Sequence, residues 1–252
     1  MYNAAVSISN LGFSYPKQSK HCFTDLNLDI PEGARFGLFG PNGAGKTTLM
    51  NCMTGLLTYT KGSIKLLGNE IANHKKEVNK LFGLVPQDFS FYQELTPVQN
   101  LEFFGAWSGL RPAEIKKRID NLLDVLGLAD VRNKQVQKFS GGMKRRVNLA
   151  IGVINNPSVL FLDEPTVGVD IQTRHAIINY LKELNKDGTT LIYTSHQLSE
   201  AEELCDKIAM IEDGKIIVND SLDKLLSEHK EDGLEGLYLN LTGKQYRDTD
   251  VG

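Results

Sequence analysis

Residues 40–48 read Gly-Pro-Asn-Gly-Ala-Gly-Lys-Thr-Thr, which sets Gly40, Gly45, Lys46 and Thr47 at the fixed places of the pattern G-x-x-x-x-G-K-[ST]. Glycines at 40, 43 and 45 let the backbone turn sharply and bring its N–H groups against phosphate oxygens. A helix end alone contributes only about 0.3–1 kcal/mol at an exposed site. The Lys46 ammonium and a magnesium ion held partly by the Thr47 hydroxyl must therefore share a triphosphate's charge. A second pair of groups, Asp163 and Glu164, closes the apolar run 159–162. Adjacent carboxylates at the end of a buried strand are costly unless they work. Asp163 suits a magnesium shell and Glu164 the activation of an attacking water. Ser140-Gly141-Gly142 is either a second anion-binding helix start or ordinary turn chemistry. Tyr15 is either an aromatic at the edge of the core or a platform for a purine ring, and His196 at a strand end is by default a hydrogen-bonded core or surface residue.

These groups need elements to hold them. Alternation through Val6, Ile8, Leu11 and Phe13 predicts an opening strand, and residues 23–30 a second. The apolar run 35–39 predicts the buried strand that delivers the glycine-rich loop. Residues 46–57 predict the helix after it, with Leu49, Met53, Leu56 and Leu57 as apolar positions. Further strands are expected at 62–67 and 82–85, the latter stopping at Pro86-Gln87-Asp88. From there the pattern turns helical. Thr96-Pro97-Val98-Gln99 spells a capping box with proline at the first helical position, and the helix continues through 101–107. Pro112 opens another, with Ile115, Ile119, Leu122, Leu123 and Leu126 on one face and Gly127 ending it. Phe103, Phe104 and Trp107 form an apolar patch that suits subdomain core better than a docking surface. A helical subdomain is expected at about 88–156, inserted between strands. Beyond it come a helix at 171–186, a strand at 190–194 and a short acidic helix at 197–205. A hairpin of 208–211 with 215–218 about Asp213-Gly214 follows, then helical stretches carrying Leu234, Leu237, Leu239 and Leu241, and a frayed end at 244–252.

Composition narrows the function. Among 252 residues, 28 Lys plus Arg against 31 Asp plus Glu give a net charge of −3, so there is no strong electrostatic case for nucleic acid or an anionic membrane surface. Cys22, Cys52 and Cys205 lack metal-ligand or redox-pair spacing and read as reduced thiols. With no basic-then-apolar leader and no run near the ~18 apolar residues of a span, the expectation is a soluble, cytoplasmic chain.

Taken in order over nearly the whole chain, these motifs resemble the ATP-binding subunit of ATP-binding cassette (ABC) transporters. Residues 40–48 look like the Walker A loop, 159–164 like Walker B with its catalytic glutamate, and Gln87 like the Q-loop glutamine. Ser140-Gly141-Gly142 matches the signature motif, 167–170 the D-loop and His196 the switch histidine. The resemblance implies an α/β P-loop NTPase fold over 1–232, with a mixed-sheet core, an antiparallel β subdomain and the inserted helical subdomain, then a short helical extension and tail at 233–252. It implies that Asn42, Gly43, Ala44, Gly45, Lys46, Thr47 and Thr48 hold ATP, that Tyr15 stacks on its adenine, and that Thr47, Gln87 and Asp163 surround Mg2+. Glu164, His196 and Lys46 take the catalytic roles. Two such chains pair head to tail, so Ser140, Gly141 and Gly142 of one meet the ATP of the other.

The partners implied are a second copy and polytopic transmembrane permease subunits on whose cytoplasmic side the chain sits, with no nucleic acid. Leu95-Thr96-Pro97 and Met143-Lys144-Arg145-Arg146 are similar to the exporter subfamily that includes bacterial sodium and daunorubicin efflux ATPases. Met143 stands where most of the family has Gln, which removes one side-chain hydrogen bond worth about 0.5–1.5 kcal/mol. Val169 replaces the commoner Leu of the D-loop. The soluble cassette proteins of iron–sulfur assembly are similar in length and form the alternative to a transporter.

Overall fold

The computed structural model describes residues 3–16, 21–195 and 197–243. The chain divides into two units, residues 1–78 with 190–252, and residues 79–189. The first unit begins with β1 (Ala4–Phe13), β2 (Phe23–Pro31), β3 (Arg35–Phe39), α1 (Lys46–Met53), β4 (Lys61–Leu66), β5 (Asn69–Glu70) and α2 (Lys75–Val78). The second holds β6 (Phe82–Val85), α3 (Pro97–Trp107), α4 (Pro112–Val125), α5 (Gly141–Val153), β7 (Val159–Asp163) and α6 (Ile171–Lys186). The chain then returns to the first with β8 (Thr190–Thr194), α7 (Leu198–Leu204), β9 (Lys207–Glu212), β10 (Lys215–Ser221), α8 (Leu222–His229) and α9 (Leu234–Thr242). Among the described residues no helix is long and apolar enough to cross a membrane.

In the first unit β1 lies antiparallel between β2 and β4, with Val6 opposite Ile30 and Leu66, and Ile8 opposite Leu28 and Ile64. The apolar side chains at these alternate positions are buried, as a period of two on a half-covered sheet requires. β3 is different. It runs parallel to both β8 and β9, with Leu38 opposite Thr194 and Ala209, and Phe36, Leu38 and Phe39 are buried. A strand covered on both faces is apolar without alternation, which is the pattern of 36–39. β10 turns back on β9 through Asp213 (φ 46) and Gly214 (φ 73), the two left-handed residues of a tight hairpin. The unit therefore carries both the antiparallel sheet and a mixed sheet.

In the second unit β6 pairs parallel with β7, Leu84 opposite Phe161. The capping box of α3 is formed: Gln99 N–H donates to Thr96 Oγ1 at 3.2 Å and Thr96 N–H to Gln99 Oε1 at 2.9 Å. α4 buries Ile115, Ile119, Leu122 and Leu123 as expected.

Two expectations change. α1 ends at Met53, because Thr54 caps it and Gly55 turns left-handed (φ 70), and Leu56 beyond it is 64% exposed. The aromatic patch is not core: Trp107 is 82% and Phe103 42% exposed. α3 buries Pro97, Asn100, Leu101 and Gly105 instead, and Gly105 brings the helix close to Ile115 of α4. The aromatic rings cover one another, with Tyr92 5.1 Å from Phe103 and Trp107 stacked 6.4 Å from it. On α9 Leu234 and Leu237 are buried but Leu239 is 46% exposed. Residues 244–252 lie outside the described residues.

Candidate functional site

β3 ends at Phe39 and hands the chain to the loop, whose last residue, Gly45, caps α1 in left-handed backbone (φ 107). A Cβ on Gly45 would sit 2.8 Å from Phe23 Cε1, and one on Gly40 would collide with the Ile211 carbonyl. The loop is packed too tightly for side chains at both positions. No side chain caps α1, so its positive end is presented by backbone amides alone. Lys46, only 7% exposed, donates from Nζ to Gly40 O at 2.8 Å and Pro41 O at 3.2 Å, which bends the ammonium back over the loop. Asn42, Gly43 and Thr47 are exposed, while Ala44 and Thr48 are buried. Tyr15, far off in sequence, reaches this helix: its hydroxyl lies 2.9 Å from Thr48 Oγ1, and its ring stands edge-on to Phe13 at 5.0 Å. The donor set of amides, ammonium and hydroxyl fits a polyphosphate.

In the other unit, the fully buried β7 carries Asp163 to its end, and Glu164 follows at φ 49, a left-handed backbone that non-glycine residues rarely adopt. Gln87 Nε2 donates to Glu164 Oε2 at 3.1 Å, so the structure brings the glutamine and the glutamate together. Ser140 caps α5 by accepting from Met143 N–H at 3.3 Å. Ser140 and Gly141 are exposed, whereas Gly142 packs towards Thr173 and Asp170 at the start of α6. Asp170 accepts from Thr173 N–H at 2.9 Å and from Thr173 Oγ1 at 2.8 Å. These bonds hold its carboxyl below the usual carboxylate range.

Among the described residues no three His, Cys, Asp or Glu converge on one point. Within their own units, Thr47 at the start of α1 and Asp163 at the end of β7 each offer an oxygen of the kind magnesium takes alongside phosphates and water. His196 lies outside the described residues. Its neighbours are nonetheless fixed: Tyr193 OH donates to Glu200 Oε2 at 2.6 Å, Ser195 Oγ donates to the same oxygen at 3.3 Å, and Gln197 N–H donates to Ser195 Oγ at 2.9 Å. Glu200 is 3% exposed. Sequence reasoning passed over it, although a glutamate six residues past a strand end with Tyr and Ser nearby was an available signal. Arg145 entered the sequence reading only as part of the subfamily wording at 143–146, with no site role. It is 6% exposed and donates from Nη1 to Gln87 O at 2.5 Å and from Nη2 to Val167 O at 3.4 Å. Nothing in its local sequence marks those partners.

Comparison with known proteins places this geometry among relatives. A family model described as ABC transporter matches residues 23–167. The linearmycin resistance ATP-binding protein LnrL of Bacillus subtilis is 41% identical over 192 residues, covering 76% of this chain and 62% of that protein. The chain thus spans about three fifths of that relative's length. The daunorubicin resistance ATP-binding protein DrrA3 of Streptomyces coeruleorubidus is 37% identical over 216 residues, covering 86% of this chain and 68% of its own. A solved ATP-binding cassette, described as a dimer in a post-hydrolysis state bound to ADP and Pi, superposes with a TM-score of 0.78 at 26% identity, over 86% of this chain and 98% of that one.

Proposed function

We propose a function from one premise: this chain belongs to the ABC transporter family and forms its ATP-binding part. It binds ATP on residues 40–48, hydrolyses it, and pairs head to tail with a second copy. The cycle powers export through separate polytopic transmembrane subunits, with this chain on their cytoplasmic side. Relatives named for drug resistance support export, and a dimeric relative holding ADP and Pi supports hydrolysis within a pair.

The observation that carries the hydrolytic reading is the pairing of Gln87 with Glu164 at a left-handed turn. In-line attack of water on a γ-phosphate asks the protein mainly for position and for charge stabilisation. Glu164 takes up the water's proton, and the Gln87 amide orients its carboxylate. Lys46 and the loop amides hold the phosphates, Tyr15 faces the adenine, and His196 takes the γ-phosphate role that the family resemblance assigns it. Magnesium, when bound, neutralises charge on the transferring phosphoryl group, and Thr47, Asp163 and Gln87 are the residues that would hold it. Ser140, Gly141 and Gly142, at the exposed start of α5, complete the site of the paired copy.

The test compares ATP hydrolysis by the wild type and by Glu164→Gln. Loss of a positioned general base is expected to lower kcat roughly 10²–10⁴-fold, while ATP still binds. An unchanged rate would sink the hydrolytic reading.

A further inference from the structure

α5 carries a stripe that the motifs do not explain. Arg145, Asn148 and Gly152, followed by Asn155 just past the helix, recur at intervals of three and four residues, which places them on one face. Every member of the stripe meets β6 or the segment after it. Arg145 Nη1 donates to Gln87 O at 2.5 Å, Asn148 Nδ2 to Pro86 O at 3.0 Å and Asn155 Nδ2 to Phe82 O at 2.9 Å, while Gly152 lies against Val85 and Leu84. Arg145 does more than its neighbours. Its second nitrogen reaches Val167 O at 3.4 Å, and its guanidinium lies 4.8 Å over the Phe89 ring.

Both carbonyls belong to residues that themselves hold Glu164. Gln87 donates its side-chain amide to Glu164 Oε2, and Val167 donates its N–H to Glu164 O at 3.3 Å. Glu164 is therefore gripped from two sides by residues that share one guanidinium. Burying that cation is unfavourable: desolvation pulls the Arg145 pKa down, opposed by the charges of Glu164 and Asp88. An apolar side chain of similar volume would fill the space without that penalty. A planar fork that ties two carbonyls is what such a replacement would lose.

We infer that Arg145 is a positioning residue for hydrolysis, fixing Glu164 through Gln87 and Val167 and binding the signature end of α5 to that carboxylate as one body. The inference rests on the hydrolytic reading above. The partners of Arg145 described above, Gln87, Val167 and Phe89, all lie within its own unit, so its removal acts on the carboxylate they hold and thereby on the chemical step.

The experiment measures kcat, KM and ATP affinity for the wild type, Arg145→Met and Arg145→Lys, with hydrogen exchange on each. For Arg145→Met, kcat falls roughly ten- to hundredfold, the scale of loss when a reacting group shifts by about an ångström. KM and ATP affinity stay within about twofold, the signature of an interaction that acts only in the transition state. Amides of residues 87–91 and 164–168 exchange faster and those of 40–48 do not. Arg145→Lys, which keeps the charge without the fork, falls between. If Arg145→Met does not fold, Arg145→Lys decides alone: a lower kcat at unchanged KM supports the inference, and an unchanged kcat overturns it. Wild-type kcat in Arg145→Met overturns it, as does a fall of kcat, ATP affinity and melting temperature together, which marks general loosening. A wild type that does not hydrolyse ATP overturns the hydrolytic reading and this inference with it, an outcome distinct from a wild type and variants that hydrolyse equally.

Discussion

At Glu164 the demands of stability and of chemistry separate. A non-glycine residue held at φ 49 costs about 1–2 kcal/mol through its Cβ. Glycine removes that cost but gives back about 0.5–1 kcal/mol through the greater freedom of the unfolded chain. The exposed hydrogen bond from Gln87, lost in the same substitution, is worth about 0.5 kcal/mol at the low end of such bonds. The terms nearly cancel, so Glu164→Gly is expected to unfold within about 1 kcal/mol of the wild type in urea, while ATP hydrolysis drops roughly 10²–10⁴-fold with the base. A variant both inactive and several kcal/mol less stable would show that the side chain, not the reaction, is what the turn needs. Gly45 is the opposite case. Its left-handed backbone and the nearby Phe23 ring leave no room for a Cβ, so function and packing there ask for the same residue.

At the scale of elements, α5 and β6 approach through glycines on both sides: a Cβ on Gly83 would collide with the Gly152 carbonyl, and one on Gly152 would lie 2.5 Å from Val85 Cγ2. Alanine at 152 improves helix propensity by about 0.8–1 kcal/mol. Overpacking costs about 1–3 kcal/mol and is expected to win. Gly152→Ala should therefore lower the denaturation midpoint, and a raised midpoint would mean that the two elements can part without loss.

The same pair shows what sequence could and could not convey. β3, α6 and β8 fall where the pattern placed them, because each is bounded by a local signal: Gly40 after β3, the Asp170 cap before α6, Gly188 between α6 and β8. The turn at 40–48 and the place of Asp163-Glu164 at the end of β7 were legible for a related reason, since each is written in adjacent positions. Arg145 was not, since its acceptors lie 58 and 22 residues away. Nor was the exposure of Trp107, because periodicity finds an apolar face without saying which of two apolar faces α4 will cover. Gly105, the small residue that draws α4 to one side, decided it.

At the scale of the whole molecule, the exposed start of α5 and the loop at 40–48 make a prediction about pairing. In the two-fold pair proposed above, each copy would supply its loop to one site and its Ser140 end to the other. Lys46→Ala disables a chain's own phosphate loop, and Ser140→Arg disables the cap it would present to its partner. Each variant alone forms only dead sites. Mixed, they form hybrid pairs in which one site joins the intact loop of the Ser140→Arg chain to the intact Ser140 end of the Lys46→Ala chain. The other site carries both defects. With random pairing half the pairs are hybrids with one of two sites intact, so the mixture should recover about a quarter of the wild-type rate. Recovery needs exchange between pairs, which is checked by mixing each variant with labelled copies of itself. Recovery near a quarter would mean that sites are shared between chains and act one at a time. Exchange without any recovery would contradict independent shared sites, and a variant active by itself would mean that one chain holds a complete site.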